Sequence, residues 1–217
     1  MRAARTTSGC APTSPLTTEA LWLSRTVLDN QSAQNENMPT LAYAPALDHP
    51  ELLAAPTAAA LRALDPALAT RVEVAPIDAT LADTAAFCAT YSIGLDVSAN
   101  CVIIAGTRGE VTRYAACVVL ATMRLDVNGV VRRLLDARKA SFAPMDDAVA
   151  LTGMEYGGIT PVGLQADWAL YVDARVAALP LAIVGPGIRA SKLQLPGAVL
   201  AALPGAETVD DLARGLA

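Results

Sequence analysis

The apolar residues of this chain recur in short runs of two periods. Imperfect alternation of Val72, Val74 and Ile77 predicts a strand over residues 71–77. Two longer apolar runs, 100–105 and 113–121, flank the segment 106–109 (GTRG), which reads as a hairpin with glycines where its turn needs them. Residues 138–142 set Ala140 and Phe142 against polar neighbours, and two further strands are expected at 170–172 and 181–184. Helical spacing appears between them. Residues 80–91 place Leu81, Ala85 and Cys88 on one face, and 127–135, capped by Asp126, place Val127, Val130, Val131 and Leu134 on one face. Asp48 reads as a cap with Pro50 in the first turn, Pro56 as an interruption, and Thr57 as a second cap before a helical stretch over 58–64. Pro144 opens a helix with Asp146 and Asp147 near its positive end, and Gly153 stops it. A last helix, 196–203, precedes a polar tail. Strands and helices interleave without a strict βαβ repeat, which predicts an α+β fold: a mixed, curved sheet with surrounding helices.

Ahead of this pattern, residues 1–37 are rich in Thr, Ser, Asn and Gln, with one helical stretch at 19–28, and read as a disordered N-terminal extension. Met38 follows directly, so the first 37 residues are read as an over-long gene assignment and 38–217 as the single domain. Arg2 and Arg5 have no apolar h-region behind them, and the longest apolar runs, such as 114–123, fall far short of the roughly 20 residues a spanning helix needs. A cytoplasmic protein with no membrane partner is expected.

Cys10, Cys88, Cys101 and Cys117 show no CxxC spacing, and one histidine, His49, exists to join them, so neither a metal site nor a disulfide scaffold is expected. Cys88, Cys101 and Cys117 read as small buried hydrophobes. With His49 in a helix-entry segment, a serine or cysteine triad has little support. A formal charge of −5 argues against indiscriminate nucleic-acid binding, yet Arg132, Arg133, Arg138 and Lys139 cluster, with Arg108 and Arg113 on the hairpin. For any one of them, a solvated face is the better account.

The stretch with most chemistry in it is the glycine-rich loop 157–163 (GGITPVG). Gly157 and Gly158 allow backbone angles that other residues resist and leave nothing between the main chain and a ligand. Pro161 removes one donor and stiffens the exit. Such a loop can present fixed N–H groups to a carbonyl oxygen on which negative charge develops. On glycine content alone, a plain tight connection between helix and strand is the preferred reading. A second glycine segment, 185–190 (GPGIRA), looks like a truncated dinucleotide fingerprint, but its proline and the lack of a following helix make it a turn.

The order ADTAAFC at 82–88, a hairpin, RKASFA at 138–143 and TGMEYGGITPVG at 152–163 resembles the YbaK-type aminoacyl-tRNA editing domain, a family of trans-editing deacylases and the editing insert of prolyl-tRNA synthetase. The resemblance covers roughly residues 72–203, and its most specific part is the glycine-x-x-x-proline loop, matched by Gly157 and Pro161. It implies hydrolysis of the ester of a small amino acid mis-attached to tRNA, with the 3′ end of aminoacyl-tRNA as partner, a synthetase as a further open one, and no cofactor. The catalytic set it implies is Gly157, Gly158, Ile159, Thr160 and Pro161 with Asn100; the substrate-binding set is Thr84, Ser191, Lys192 and Lys139. Asn100 stands where many members carry a lysine, and can hydrogen-bond a ribose or ester oxygen without supplying charge. Ser191 and Lys192 stand where many have an acidic residue, so Lys192 is read as replacing the lost lysine from the opposite wall. The alternative is a non-catalytic relative that binds tRNA, a nucleotide or a protein partner.

Overall fold

The computed structural model describes residues 40–215. The extension at 1–37, its helical stretch, Cys10 and Met38 lie outside the described residues. β1 (Ala44–Pro45) and two 3-10 turns, Ala46–Asp48 and Pro50–Leu52, lead into α1 (Ala55–Ala63), α2 (Pro66–Ala69) and β2 (Glu73–Pro76). Pro56 opens α1 instead of interrupting it, because its missing N–H falls among the donors that a helix start leaves unpaired anyway. Thr57 therefore caps nothing: it is fully buried, and its Oγ1 has no hydrogen-bond partner among the described residues. Asp48 ends the first 3-10 turn and caps nothing, whereas Asp65 caps α2 by accepting from the Ala67 N–H at 2.8 Å.

α3 (Thr84–Tyr91) starts later than its periodicity suggests, because Asp78 closes a separate 3-10 turn and Asp83 caps the helix through the Ala85 and Ala86 N–H groups. Its buried face is Phe87 and Cys88, and Ala85 is exposed. β3 (Ala99–Arg108) and β4 (Val111–Leu120) form the hairpin, which turns at Gly109 with φ of 63°. Gly106 lies within β3, not in the turn; its bare Cα lets Leu135 and Ala137 pack against the strand. β5 (Met123–Leu125) leads to a π-helical segment, Val127–Val131, that runs into α4 (Arg132–Leu134). β6 (Lys139–Phe142), α5 (Met145–Thr152), β7 (Ala169–Asp173), α6 (Ala174–Ala177), β8 (Ala182–Val184), β9 (Ser191–Leu195) and α7 (Gly197–Ala201) follow. The expected polar tail instead forms β10 (Ala206–Val209) and β11 (Ala213–Gly215).

The α+β architecture rests on two larger sheets. One is mixed, in the order β10-β7-β4-β3-β6; the other is antiparallel, β1-β2-β9-β8; β11 and β5 pair separately. β4 is central to the mixed sheet and covered on both sides. Ala116 and Val118 face a core shared with Val74, Leu193 and Val184 of the antiparallel sheet, while Ala115, Cys117 and Val119 face Val131, Leu135 and Leu212. A parallel bridge between Ser98 and Ile183, with the Ile183 N–H donating to Val97 at 2.9 Å, joins the two sheets at a seam.

The C-terminal strands are held by a buried carboxylate. Asp173, 1% exposed, accepts from Arg175 at 2.7 Å through both carboxylate oxygens and from the Ala213 N–H at 3.2 Å. Burial pushes this carboxyl up, but the Arg175 and Ala213 bonds outweigh it and hold it below the usual carboxylate range. The stabilisation is thus present above the unfolded value of about 4 and is lost as pH falls through the lower folded value. Asp173→Asn is expected to cost about 2 kcal/mol and to flatten the acid arm of a plot of melting temperature against pH. A variant with wild-type acid sensitivity would refute this.

Candidate functional site

A cavity of about 400 Å³ opens at the seam between the two sheets. β3 supplies residues 99–103, β8 supplies Ile183 and Val184, β9 supplies Lys192, and α3 supplies Thr84 and Phe87. The loop after α5 adds Gly157 and Ile159, and Phe142, Met145 and Tyr156 lie at the rim, each more than half exposed.

Two polar groups meet there from separate elements. Thr84 Oγ1, at the start of α3, donates to Asn100 Oδ1 at 2.8 Å. With its oxygen so engaged, the Asn100 NH2 remains a two-donor group in a residue lining the cavity. From the other sheet comes Lys192, 7% exposed, whose Nζ donates to the Ala82 carbonyl at 2.9 Å and lies 5.0 Å from the Phe87 ring centroid. Burial lowers its pKa, with Arg189 adding to the effect, while Cys88 and Asp83 oppose it. Among the described residues it has no carboxylate within ion-pair distance. Cys101 also lines the cavity, but burial pushes its thiol up to about 12, which keeps it protonated and poorly nucleophilic. His49 bonds the exposed Glu51 and is absent from the cavity lining.

The glycine loop is shaped by a second loop. Gly157 has φ of 85°, and Gly163 and Gly187 have φ of 90° and 91°, values that favour glycine. The Gly158 carbonyl accepts from the Gly187 N–H at 2.7 Å, and the Glu155 N–H donates to the Gly187 carbonyl at 2.8 Å. A Cβ on Gly158 would fall on the Ile188 carbonyl, and one on Gly185 would fall on the Gly158 carbonyl. Arg189 fastens the pair: its N–H donates to the Glu155 carboxylate at 2.7 Å and its guanidinium reaches the Tyr156 and Ala79 carbonyls at 3.3 and 3.1 Å. The Gly158 N–H is taken by Glu155 at 2.9 Å, while the N–H groups of Gly157 and Ile159 have no acceptor among the described residues.

Of the residues singled out from sequence, Thr84, Asn100, Gly157, Ile159 and Lys192 line one cavity. Gly158, Thr160 and Pro161 are buried behind it as support. Ser191 does not reach it: its hydroxyl donates to the Leu52 carbonyl at 2.6 Å, because neighbours on a strand face opposite ways. Lys139 is exposed at the far end of β6, outside the cavity. Sequence reasoning missed Phe87, Glu155 and Arg189. The spacing of Gly185 and Gly187 was the one signal for the second loop, and its role shows only against Gly158.

The fold is thus an α+β domain with one polar-lined cavity between two sheets. The profile of the aminoacyl-tRNA editing domain matches residues 78–203, and the chain belongs to that family. No curated protein matches the chain. Among solved structures, a scaffold protein from epitope backbone grafting by computational design is 24% identical, with a TM-score of 0.59 over 74% of this chain and 99% of that one. A protein provisionally described as a trans-editing enzyme for prolyl tRNA synthetase is 23% identical, with a TM-score of 0.57 over 72% and 98%. The hypothetical protein APE2540 is 22% identical, with a TM-score of 0.55 over 64% and 86%. These likenesses describe the fold.

The loop geometry ranks two substitutions. Gly158→Ala meets backbone and is expected to cost about 2–3 kcal/mol, whereas Gly157→Ala meets only the end of Arg189 and pays left-handed strain of about 1 kcal/mol. Denaturant unfolding of both variants reads the order; Gly157→Ala as the more damaging change would contradict the paired-loop account.

Proposed function

We propose that this chain hydrolyses the ester that joins a small, wrongly attached amino acid to the 3′ end of tRNA, acting in the cytoplasm on free aminoacyl-tRNA. The observation that supports this reading is that Asn100, Lys192 and two loop residues whose N–H groups have no acceptor among the described residues, Gly157 and Ile159, line one cavity of an editing-family domain. The ester carbonyl seats against the Gly157 and Ile159 N–H groups, which stabilise the negative charge that forms on its oxygen. Asn100, steadied by Thr84, donates to a ribose or ester oxygen, and Lys192 supplies charge from the facing wall in place of the lysine that many members carry. Water attacks the carbonyl carbon and gives up a proton, the bond to the ribose oxygen breaks, and that oxygen takes up a proton, which releases the amino acid and the tRNA. The ester is already activated, so positioning and carbonyl polarisation carry the reaction. Phe87, Ile103, Ala148 and Ile183 bound the space for the side chain, and such walls reject larger groups far better than smaller ones.

The second reading, a relative that binds tRNA without hydrolysing it, draws on the replacement of the family lysine by Asn100. No described helix is long and apolar enough to cross a membrane.

Two experiments test the proposal. Full-length protein is incubated with tRNAs charged with Ala, Cys, Ser or Pro; selective release is expected, abolished by Gly157→Val and slowed about 10- to 100-fold by Asn100→Ala. Release from none of them by folded protein would favour the binding-only reading. The second experiment follows kcat/KM against pH, corrected for spontaneous hydrolysis. If the Lys192 charge contacts substrate, activity falls as pH rises through its lowered pKa, below the range of a solvated lysine. That step should vanish in Lys192→Met, and its survival would remove Lys192 from the mechanism.

A further inference from the structure

The arginines and lysines on and around β6 and the hairpin differ in their partners. Arg108 pairs with Asp136 at 2.5 Å, Arg113 lies 3.8 Å from the same carboxylate, and Arg214 pairs with Asp126 at 2.7 Å. Arg132, Arg138 and Lys139 have no carboxylate partner among the described residues, and all three line one shallow groove with Asn128 and Ser141. Arg132 is held in place by its Nε bond to the Asn128 carbonyl at 2.8 Å. A second concavity shares Asn128 and Ser141 with this groove and shares Phe142 with the catalytic cavity. The three depressions therefore adjoin along β6, and the middle one is also lined by Arg124 and by Asp126 with its partner Arg214; together they make up the track. The register of β6 is fixed by pairing with β3, from Lys139 opposite Thr107 to Phe142 opposite Ile104.

We infer that this track binds the phosphates of the tRNA acceptor end just upstream of the nucleotide whose ester occupies the cavity. The inference rests on the editing reading for the identity of the nucleic acid. Lys139 and Phe142 are three strand steps apart, about 10 Å, on the order of one to two phosphate spacings along one nucleic-acid strand. A strand whose last nucleotide enters past Phe142 brings its preceding phosphates to the three uncompensated cations. The exposed Phe142 ring, at 61%, stands between the two, where an unpaired base can stack. Contacts of this kind position the backbone and carry no sequence information. The track therefore contributes affinity to every tRNA equally, and the choice among tRNAs is made elsewhere.

The test uses the full chain, an uncharged minihelix ending in CCA, and the Arg138→Ala/Lys139→Ala double variant, with Arg62→Ala/Arg71→Ala as an equal change of charge away from the track. Minihelix binding is measured by fluorescence anisotropy over a range of salt. The track variant is expected to bind about tenfold more weakly, and its log K against log salt to lose about 0.7–0.9 of slope per contact removed. In a second arm, the ratio of kcat/KM on a charged minihelix to kcat/KM on the matching aminoacyl-adenosine should fall about tenfold in the track variant. Equal losses in both double variants, or no loss in the track variant, would overturn the inference. Should wild-type protein hydrolyse neither substrate, the editing reading fails, and the binding arm still decides the track.

Discussion

The site depends on a close approach of two backbones. The Gly158 carbonyl meets the Gly187 N–H, and the three glycines at 158, 185 and 187 pack where a Cβ would strike main chain or buried side chains. This contact ties the exit of α5 to the connection between β8 and β9. The Gly187 N–H donates to the Gly158 carbonyl and the Gly158 N–H donates to the Glu155 carbonyl, while the flanking N–H groups of Gly157 and Ile159 have no acceptor among the described residues. A donor loop is useful for acyl chemistry only if its N–H groups stay fixed while the charge forms, since preorganised dipoles then need no reorganisation. The Arg189 bonds to Glu155, Tyr156 and Ala79 provide that fixity from outside the loop.

The seam between the sheets explains the placement of the other polar groups. Asn100 comes from the mixed sheet and Lys192 from the antiparallel one, and they face the cavity because the sheets join through the Ser98–Ile183 bridge. Lys192 is tolerated in burial because the Ala82 carbonyl and the Phe87 ring take up part of its charge. Its cationic form is still disfavoured by lost water, so an incoming anionic or electron-rich group would recover what burial removed. A cation held ready in this way differs from a surface lysine, whose charge water already satisfies.

Much of this was legible in the sequence, for identifiable reasons. Apolar runs located β3, β4 and β7 because each is buried or half-buried along most of its length, and glycine with proline located the 157–163 loop because local backbone demands select those residues. Family resemblance assigned Thr84 and Asn100 separate places at the site, and the structure joins them by a hydrogen bond. What failed was decided by tertiary contact. Ser191 and Lys192 are adjacent in sequence, and only the strand's facing assigns one to the cavity. Lys139 belongs to β6 but to its far end. The polar run after 203 forms strands because β7 and β5 offer open edges, β10 pairing with the first and β11 with the second. Pro56 looked like an interruption because a proline's meaning depends on whether it falls in the first turn of a helix or within it.

The distribution of charge follows from these placements. The chain carries a net charge of −5, so its long-range field repels a polyanion and cannot recruit one indiscriminately. Asp136 compensates two arginines of the hairpin, and Asp126 compensates Arg214. Arg132, Arg138 and Lys139, which line one groove along β6, have no carboxylate partner among the described residues. On the proposed reading, a small set of phosphate contacts gives modest, salt-sensitive affinity, with the rest of the binding energy coming from the seated ester. That division suits an enzyme meeting mostly correctly charged tRNA: a substrate whose amino acid does not fit loses the cavity contacts and keeps only the weak backbone ones, so it leaves quickly.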